Sequence, residues 1–227
     1  MKIEIWSDVM CPWCYIGKRR LETALASFDH AQEVEIIWKS FQLNPDMKTD
    51  PSKSINQYLV EAKGWTLDYA RQVSENVTNI AAREGLEYHL DQSVVANSYA
   101  AHRVLQMAKA QGLGDALKER LLHAYFTKGK NIGDHKVLIE LAGDAGLEPK
   151  AVQQMLYTNE YCDEVDHDVE EARELGARGV PFFVIDRKYG ISGAQPVEVF
   201  TDVLNQVWTE SHAAVADGDV CLPGEDC

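Results

Sequence analysis

Along the first 45 residues the spacing of apolar positions changes twice. Ile3 and Ile5 alternate with polar neighbours, the two-residue period of a half-buried strand. From Cys14 the apolar and small positions recur at Gly17, Leu21, Ala24, Leu25 and Phe28, the period of an amphipathic helix, with Asp8 to Pro12 as the joint. Glu33 to Leu43 (EVEIIWKSFQL) is dense in β-branched and aromatic residues and halts at Asn44-Pro45-Asp46, which predicts a second strand ending in a turn. Together these elements make one βαβ unit.

Strand signals then vanish from Ser54 to about Gly176. Helical spacing predicts helices over 56–84, 93–111, 115–128, 135–145, 149–157 and 163–175, with Gly64, Gly85, Gly112, Gly129, Gly146 and Gly176 where they bend or end. Val180 to Ile185 and Tyr189 to Ser192 restore strand character and imply a hairpin through Asp186-Arg187-Lys188. Pro196 opens a last helix with Phe200, Val203, Leu204, Val207 and Trp208 on one face. Residues 209–227 hold Glu210, Asp217, Asp219, Glu225 and Asp226 but no Lys or Arg, and read as an acidic, mobile tail. The order βαβ, helical block, αββα is the thioredoxin-like plan, an α/β fold with a large all-helical insertion. On this reading residues 1–50 and 163–208 are the two parts of a thioredoxin-like domain, 51–162 the insertion and 209–227 the tail.

Composition narrows the partners. The 227 residues carry 22 Lys and Arg against 36 Asp and Glu, a formal charge of −14 that works against binding nucleic acid or an anionic membrane. The amino terminus has no completed signal-peptide hydrophobic region, and no apolar run reaches membrane-spanning length. A cytoplasmic, thiol-reducing location is therefore expected. There the five cysteines, Cys11, Cys14, Cys162, Cys221 and Cys227, need a chemical rather than a structural account, and an odd number cannot all pair within one chain.

Cys11-Pro12-Trp13-Cys14 falls between strand and helix. Two cysteines three positions apart in a helical turn come within disulfide range of each other. Cys11, ahead of the helix, faces unpaired N–H groups and the positive end of the dipole, so it is expected to hold a thiolate and act as nucleophile. Cys14, one turn in and on the apolar face, is expected to stay protonated near neutrality and to resolve a mixed disulfide. A structural zinc site is the competing account of a C-x-x-C pair. It needs two further ligands, and the other close pair, Cys221 and Cys227, has a different spacing in the tail. None of the seven histidines forms a metal-binding spacing, and no metal is expected.

The tail pair can be read two ways. Pro223-Gly224 favours a turn that brings Cys221 and Cys227 together, and a mobile tail could carry them to Cys11 as an auxiliary redox pair; an accidental pair on a frayed end fits equally. Cys162 reads as an inert structural thiol, His102 as a hydrogen-bonded helix histidine near the site, and Tyr99, Tyr125 and Phe126 as core.

Ser7-Asp8, Cys11 to Gly17, Ala101-His102-Arg103, Gly179 to Phe183 and Ser192 to Pro196 together resemble the FrnE-like branch of the DsbA-type thioredoxin superfamily, in register from residue 3 to about 208. The resemblance implies a dithiol–disulfide oxidoreductase acting on protein or small-molecule thiols and disulfides. It would have no bound cofactor beyond a redox-active Cys11–Cys14 disulfide, with glutathione as a potential co-substrate. It further implies a cis Val180–Pro181 bond facing the cysteines, and a substrate-binding surface made of Pro12, Trp13, Val180 and Pro181. Glutathione-dependent isomerases and transferases of the kappa and hydroxychromene-carboxylate type share the inserted-helix plan and are the alternative. Those relatives carry serine where Cys11 stands, and Ala194-Gln195 departs from the acidic residue they use near glutathione.

Overall fold

The computed structural model describes residues 1–216, with side chains through His212. Strand β1 (Lys2–Ser7) leads into α1 (Pro12–Ala26), and a 3₁₀ turn at Ala31–Glu33 returns the chain to β2 (Glu35–Ser40). The intervening block contains β3 (Asp50–Ser54), α2 (Ile55–Lys63), α3 (Leu67–Arg83), β4 (Val94–Val95), α4 (Tyr99–Ala110), α5 (Gly114–Phe126), α6 (His135–Asp144) and α7 (Pro149–Leu156). Then α8 (Cys162–Glu174), β5 (Phe182–Ile185), β6 (Tyr189–Ser192) and α9 (Val197–Ala216) complete the described chain. The main sheet has the order β2-β1-β5-β6, with β1 parallel to β2 and antiparallel to β5. This is the βαβ…αββα plan with its helical insertion.

Alternation along β1 sorts its side chains between two layers. Ile3 and Ile5 pack with Leu21 and Ala24 of α1, with Phe28 just beyond it, and with Phe200, Leu204 and Val207 of α9. Trp6 packs on the opposite face with Ala172 of α8, and its indole N–H donates to the Asp168 carbonyl at 2.7 Å. The insertion has its own core, in which Val104, Leu117, Leu121, Leu138 and Val152 gather with Tyr15 and Ile16 of α1. Helix α1 thus serves both cores. Polar ties join the same parts: Arg20 of α1 reaches Glu84 at 2.7 Å and the Ala194 carbonyl at 2.6 Å.

Four details depart from the sequence reading. The helix expected over 56–84 is two helices. Gly64 takes φ 68° to end α2, Thr66 caps α3, and Ser54 with Gln57 forms a capping box that starts α2. The small β3–β4 ladder was not anticipated, because Asp50-Pro51-Ser52-Lys53-Ser54 has no strand-forming side chains. Strand β2 is shorter than its apolar run. Helix α9 continues to Ala216, and Trp208, where the apolar pattern fades, is stacked between His30 and His212 at ring separations of 3.8 and 4.0 Å.

Candidate active site

Cys11 is the N-cap of α1, with φ −87° and ψ 113°, and Pro12 fills the first helical position where its missing N–H costs nothing. The Cys11 N–H donates to the Asp8 carbonyl at 3.2 Å and the Cys14 N–H to the Cys11 carbonyl at 3.0 Å, so the joint itself fixes both cysteines. The Tyr88 hydroxyl donates to the Pro12 carbonyl at 2.7 Å. Both thiols are free and buried, Cys11 at 3% and Cys14 at 1% exposure, while Trp13 between them is 39% exposed.

Opposite α1, the Val180–Pro181 peptide bond is cis. The Cys11 thiol donates to the Val180 carbonyl at 3.3 Å, which brings the two segments into one site. Whichever oxygen or sulfur the single Cys11 proton faces, the 3.3 Å between Cys11 Sγ and the Val180 carbonyl oxygen needs Gly17: a Cβ there would lie 2.9 Å from Pro181 Cγ and 3.2 Å from Phe183 Cζ.

The electrostatics reverse the expected order of the thiols. Burial opposes charge on Cys14, but the Cys11 thiol donating to it, the Lys118 ammonium, the Ser7 hydroxyl and the Asp8 backbone together hold it below the usual thiol value. Cys11 is pushed well above that value because its proton is held by Cys14, with burial and the neighbouring charges of Cys14 and Asp8 adding to the effect. The pair therefore accepts one negative charge readily and resists a second, and that charge rests toward Cys14. A helix start alone favours Cys11. What works against it is the hydrogen bond between the two thiols, with the charge of Lys118, which the insertion delivers from α5, adding to it beside Cys14.

Lys118 is fully buried, with Nζ 3.4 Å from the Ser7 carbonyl and 5.4 Å from the centre of the Trp38 ring. Burial pushes its ammonium down to about 8, against the opposing pull of Cys14 and Asp8. Burial would raise Asp8, but His102 Nε2 at 3.4 Å from its Oδ1 and the N–H groups of Leu43 (2.9 Å) and Met10 (3.3 Å) hold its carboxyl below the usual range.

A cavity of about 520 Å³ opens beside the pair. Cys11, Pro12, Trp13 and Val180 form one wall, while Tyr58, Leu59 and Val77 of the insertion and Tyr125 and Phe126 of α5 form another. Cys11, Pro12, Trp13, Val180 and Pro181 are thus brought together with Cys14 behind them. Cys162 opens α8 beside the Tyr99 hydroxyl. Cys221 and Cys227 lie outside the described residues. The Ala101-His102-Arg103 run divides its work: His102 holds Asp8, and Arg103 ties down the carbonyls of Met155 in the last turn of α7 and of Thr158 and Glu160 beyond it. Sequence reasoning missed Lys118 and Tyr88. A lysine on an amphipathic helix carries no mark of burial, and nothing local ties Tyr88 to a helix 76 residues away.

Comparison with known proteins agrees with this geometry. A model of the DSBA-like thioredoxin domain matches residues 2–205. An uncharacterized Bacillus subtilis (strain 168) protein, YwbO, is 28% identical over 212 residues, covering 89% of this chain and 95% of its own. The crystal structure of SCO1869, a probable DsbA oxidoreductase of Streptomyces coelicolor, is 40% identical and superposes with a TM-score of 0.88 over 100% of this chain and 94% of that one. DsbM of Pseudomonas aeruginosa, a cytosolic disulfide reductase also solved with GSH, shares the fold at 19% identity and a TM-score of 0.64, over 92% of this chain and 100% of its own. With the family model spanning nearly the whole described chain, this protein belongs to the DSBA-like thioredoxin domain family of thiol–disulfide oxidoreductases.

Proposed function

We propose that the chain is a cytoplasmic, FrnE-like oxidoreductase that exchanges disulfides through Cys11 and Cys14, Cys11 meeting the substrate sulfur and Cys14 resolving the mixed disulfide. One observation carries this reading: Cys11 lines the cavity beside Trp13 and Val180, while Cys14 lies behind it. In the reduced pair, Cys14 accepts the proton that Cys11 donates, and Lys118 stabilises the charge before the exchange. Cys11 then attacks one sulfur of the substrate disulfide and expels the other as thiolate, which takes up the proton that Cys14 has accepted and so leaves Cys14 as the thiolate. Cys14 next displaces the second substrate sulfur, leaving a Cys11–Cys14 disulfide. Two electrons have passed from the dithiol to the substrate. No metal or bound cofactor takes part. Glutathione is the thiol that returns the pair to its starting state, a role suggested by the GSH held in a DsbM structure. A cysteine at position 11, where the isomerases and transferases carry serine, speaks against the isomerase alternative.

The test is insulin reduction with glutathione or dithiothreitol as reductant. Cys11→Ser should abolish turnover, and Cys14→Ser should stall as a mixed disulfide that peptide mapping places on Cys11. Turnover surviving in Cys11→Ser would overturn the assignment. Deleting residues 218–227 in parallel reports whether Cys221 and Cys227 exchange with the pair.

A further inference from the structure

The cavity beside Cys11 runs from Val180 and Trp13 into the insertion, where Leu59, Val73 and Val77 line it. At about 520 Å³ it falls in the range of small-molecule sites, and its walls are mainly apolar. Lys63 is the single cation among its lining residues and Asp8 the single anion, so nothing there matches a ligand with several carboxylates. One polar group in the wall is unspent. Tyr125 is 1% exposed and its hydroxyl has no hydrogen-bond partner, although it lies near Asp8 and Tyr58, which line the same cavity. A buried hydroxyl left unpaired costs about 1–3 kcal/mol, a cost that a ligand atom placed against it would relieve.

We propose that this cavity is the binding site for a low-molecular-weight apolar disulfide, whose body fills the space between α2, α3 and α5, whose sulfur meets Cys11, and whose hydrogen-bonding atom meets the Tyr125 hydroxyl. This deepens the oxidoreductase reading and rests on it. The chemistry is the exchange already described: Cys11 bonds to one sulfur, the first thiolate leaves with a proton, and Cys14 releases the second. Two electrons move from the dithiol to the ligand, so a single turnover by pre-reduced protein needs no further reductant.

The probe is dithiodipyridine, an aromatic disulfide whose ring nitrogen accepts a hydrogen bond, compared with diphenyl disulfide, polar hydroxyethyl disulfide and insulin. Wild-type protein should reduce dithiodipyridine with a saturable single-turnover rate, at least tenfold more efficiently than hydroxyethyl disulfide after correction for their uncatalysed reactivity with dithiothreitol. Val73→Trp, which places bulk in the cavity, should lower the ratio of dithiodipyridine to insulin reduction at least tenfold. Tyr125→Phe should weaken half-saturation for dithiodipyridine by about fivefold or more, with little change in the limiting rate, and leave that for diphenyl disulfide in place. Dipyridylethane, an unreactive analogue, should raise the melting temperature of wild type but not of Val73→Trp, which separates filling of the site from misfolding. Dithiodipyridine and insulin reduction falling together in Val73→Trp, or no saturation and no stabilisation in wild type while insulin is still reduced, would overturn the cavity assignment and leave the oxidoreductase reading intact. Wild type reducing neither insulin nor any small disulfide would instead overturn the reading on which it rests.

Discussion

At the scale of single residues, a buried lysine ties the site's charge to the stability of the fold. Lys118 binds its proton less tightly in the folded protein than in the unfolded chain, since burial lowers it to about 8. Between that value and the ordinary lysine range the unfolded chain holds the extra proton, so this residue's contribution to stability rises as pH climbs through the window and is least favourable below it. Lys118→Met is expected to remove that rise, leaving stability flat across the window. Urea unfolding of both proteins at neutral pH and at about pH 10 checks it. The same change removes the cation beside Cys14, so alkylation of the reduced pair should shift to higher pH by about one unit. The cysteines were legible in the sequence because C-P-W-C at a strand-to-helix joint is a local pattern. Their charge balance was not, because it depends in part on Lys118, which only tertiary packing brings close.

At the scale of elements, α1 is a helix whose interior glycine is there for its neighbour rather than for itself. In an isolated helix Gly17→Ala would be favourable by about 1 kcal/mol. Here the added methyl meets Pro181 and Phe183, and the sign should invert to a loss of roughly 1–3 kcal/mol from overpacking. Denaturant unfolding gives the sign directly. A rise in stability would mean that α1 and the Pro181 segment can part without cost. The existence of α1, β1, β2, β5 and β6 followed from apolar spacing, β-branched content and turn signals, and so did the hairpin, where Asp186 and Arg187 both take positive φ in the three-residue loop and the Lys188 N–H donates to the Ile185 carbonyl at 3.0 Å. The β3–β4 ladder did not follow, since its residues pair through backbone groups and leave no side-chain signature.

At the scale of the whole molecule, one carboxylate fastens three parts together. Asp168 of α8 is 2% exposed; it accepts from the Ser40 N–H of β2 at 2.8 Å, pairs with Lys39 at 3.0 Å, and accepts from Gln106 of α4. Asp168→Ala strands those partners and should cost roughly 3–5 kcal/mol, with Asp168→Asn costing less, read as the shift in urea midpoint. The plan of sheet, insertion and sheet was legible because strand signals stop near Ser54 and resume near Val180, but the joints between the parts are side chains remote in sequence. That remoteness also sets a schedule. In the main sheet Ile3 pairs with Ile185, so the first strand made waits for almost the last. At about 5–20 residues per second, roughly ten to forty seconds of synthesis pass between them. Cys11 and Cys14 leave the ribosome at the start of that interval, before Lys118 or Val180 exists. For the nascent chain they are ordinary thiols open to whatever oxidant is near, and their reactivity becomes that of the enzyme only when the final hairpin closes over the first strand.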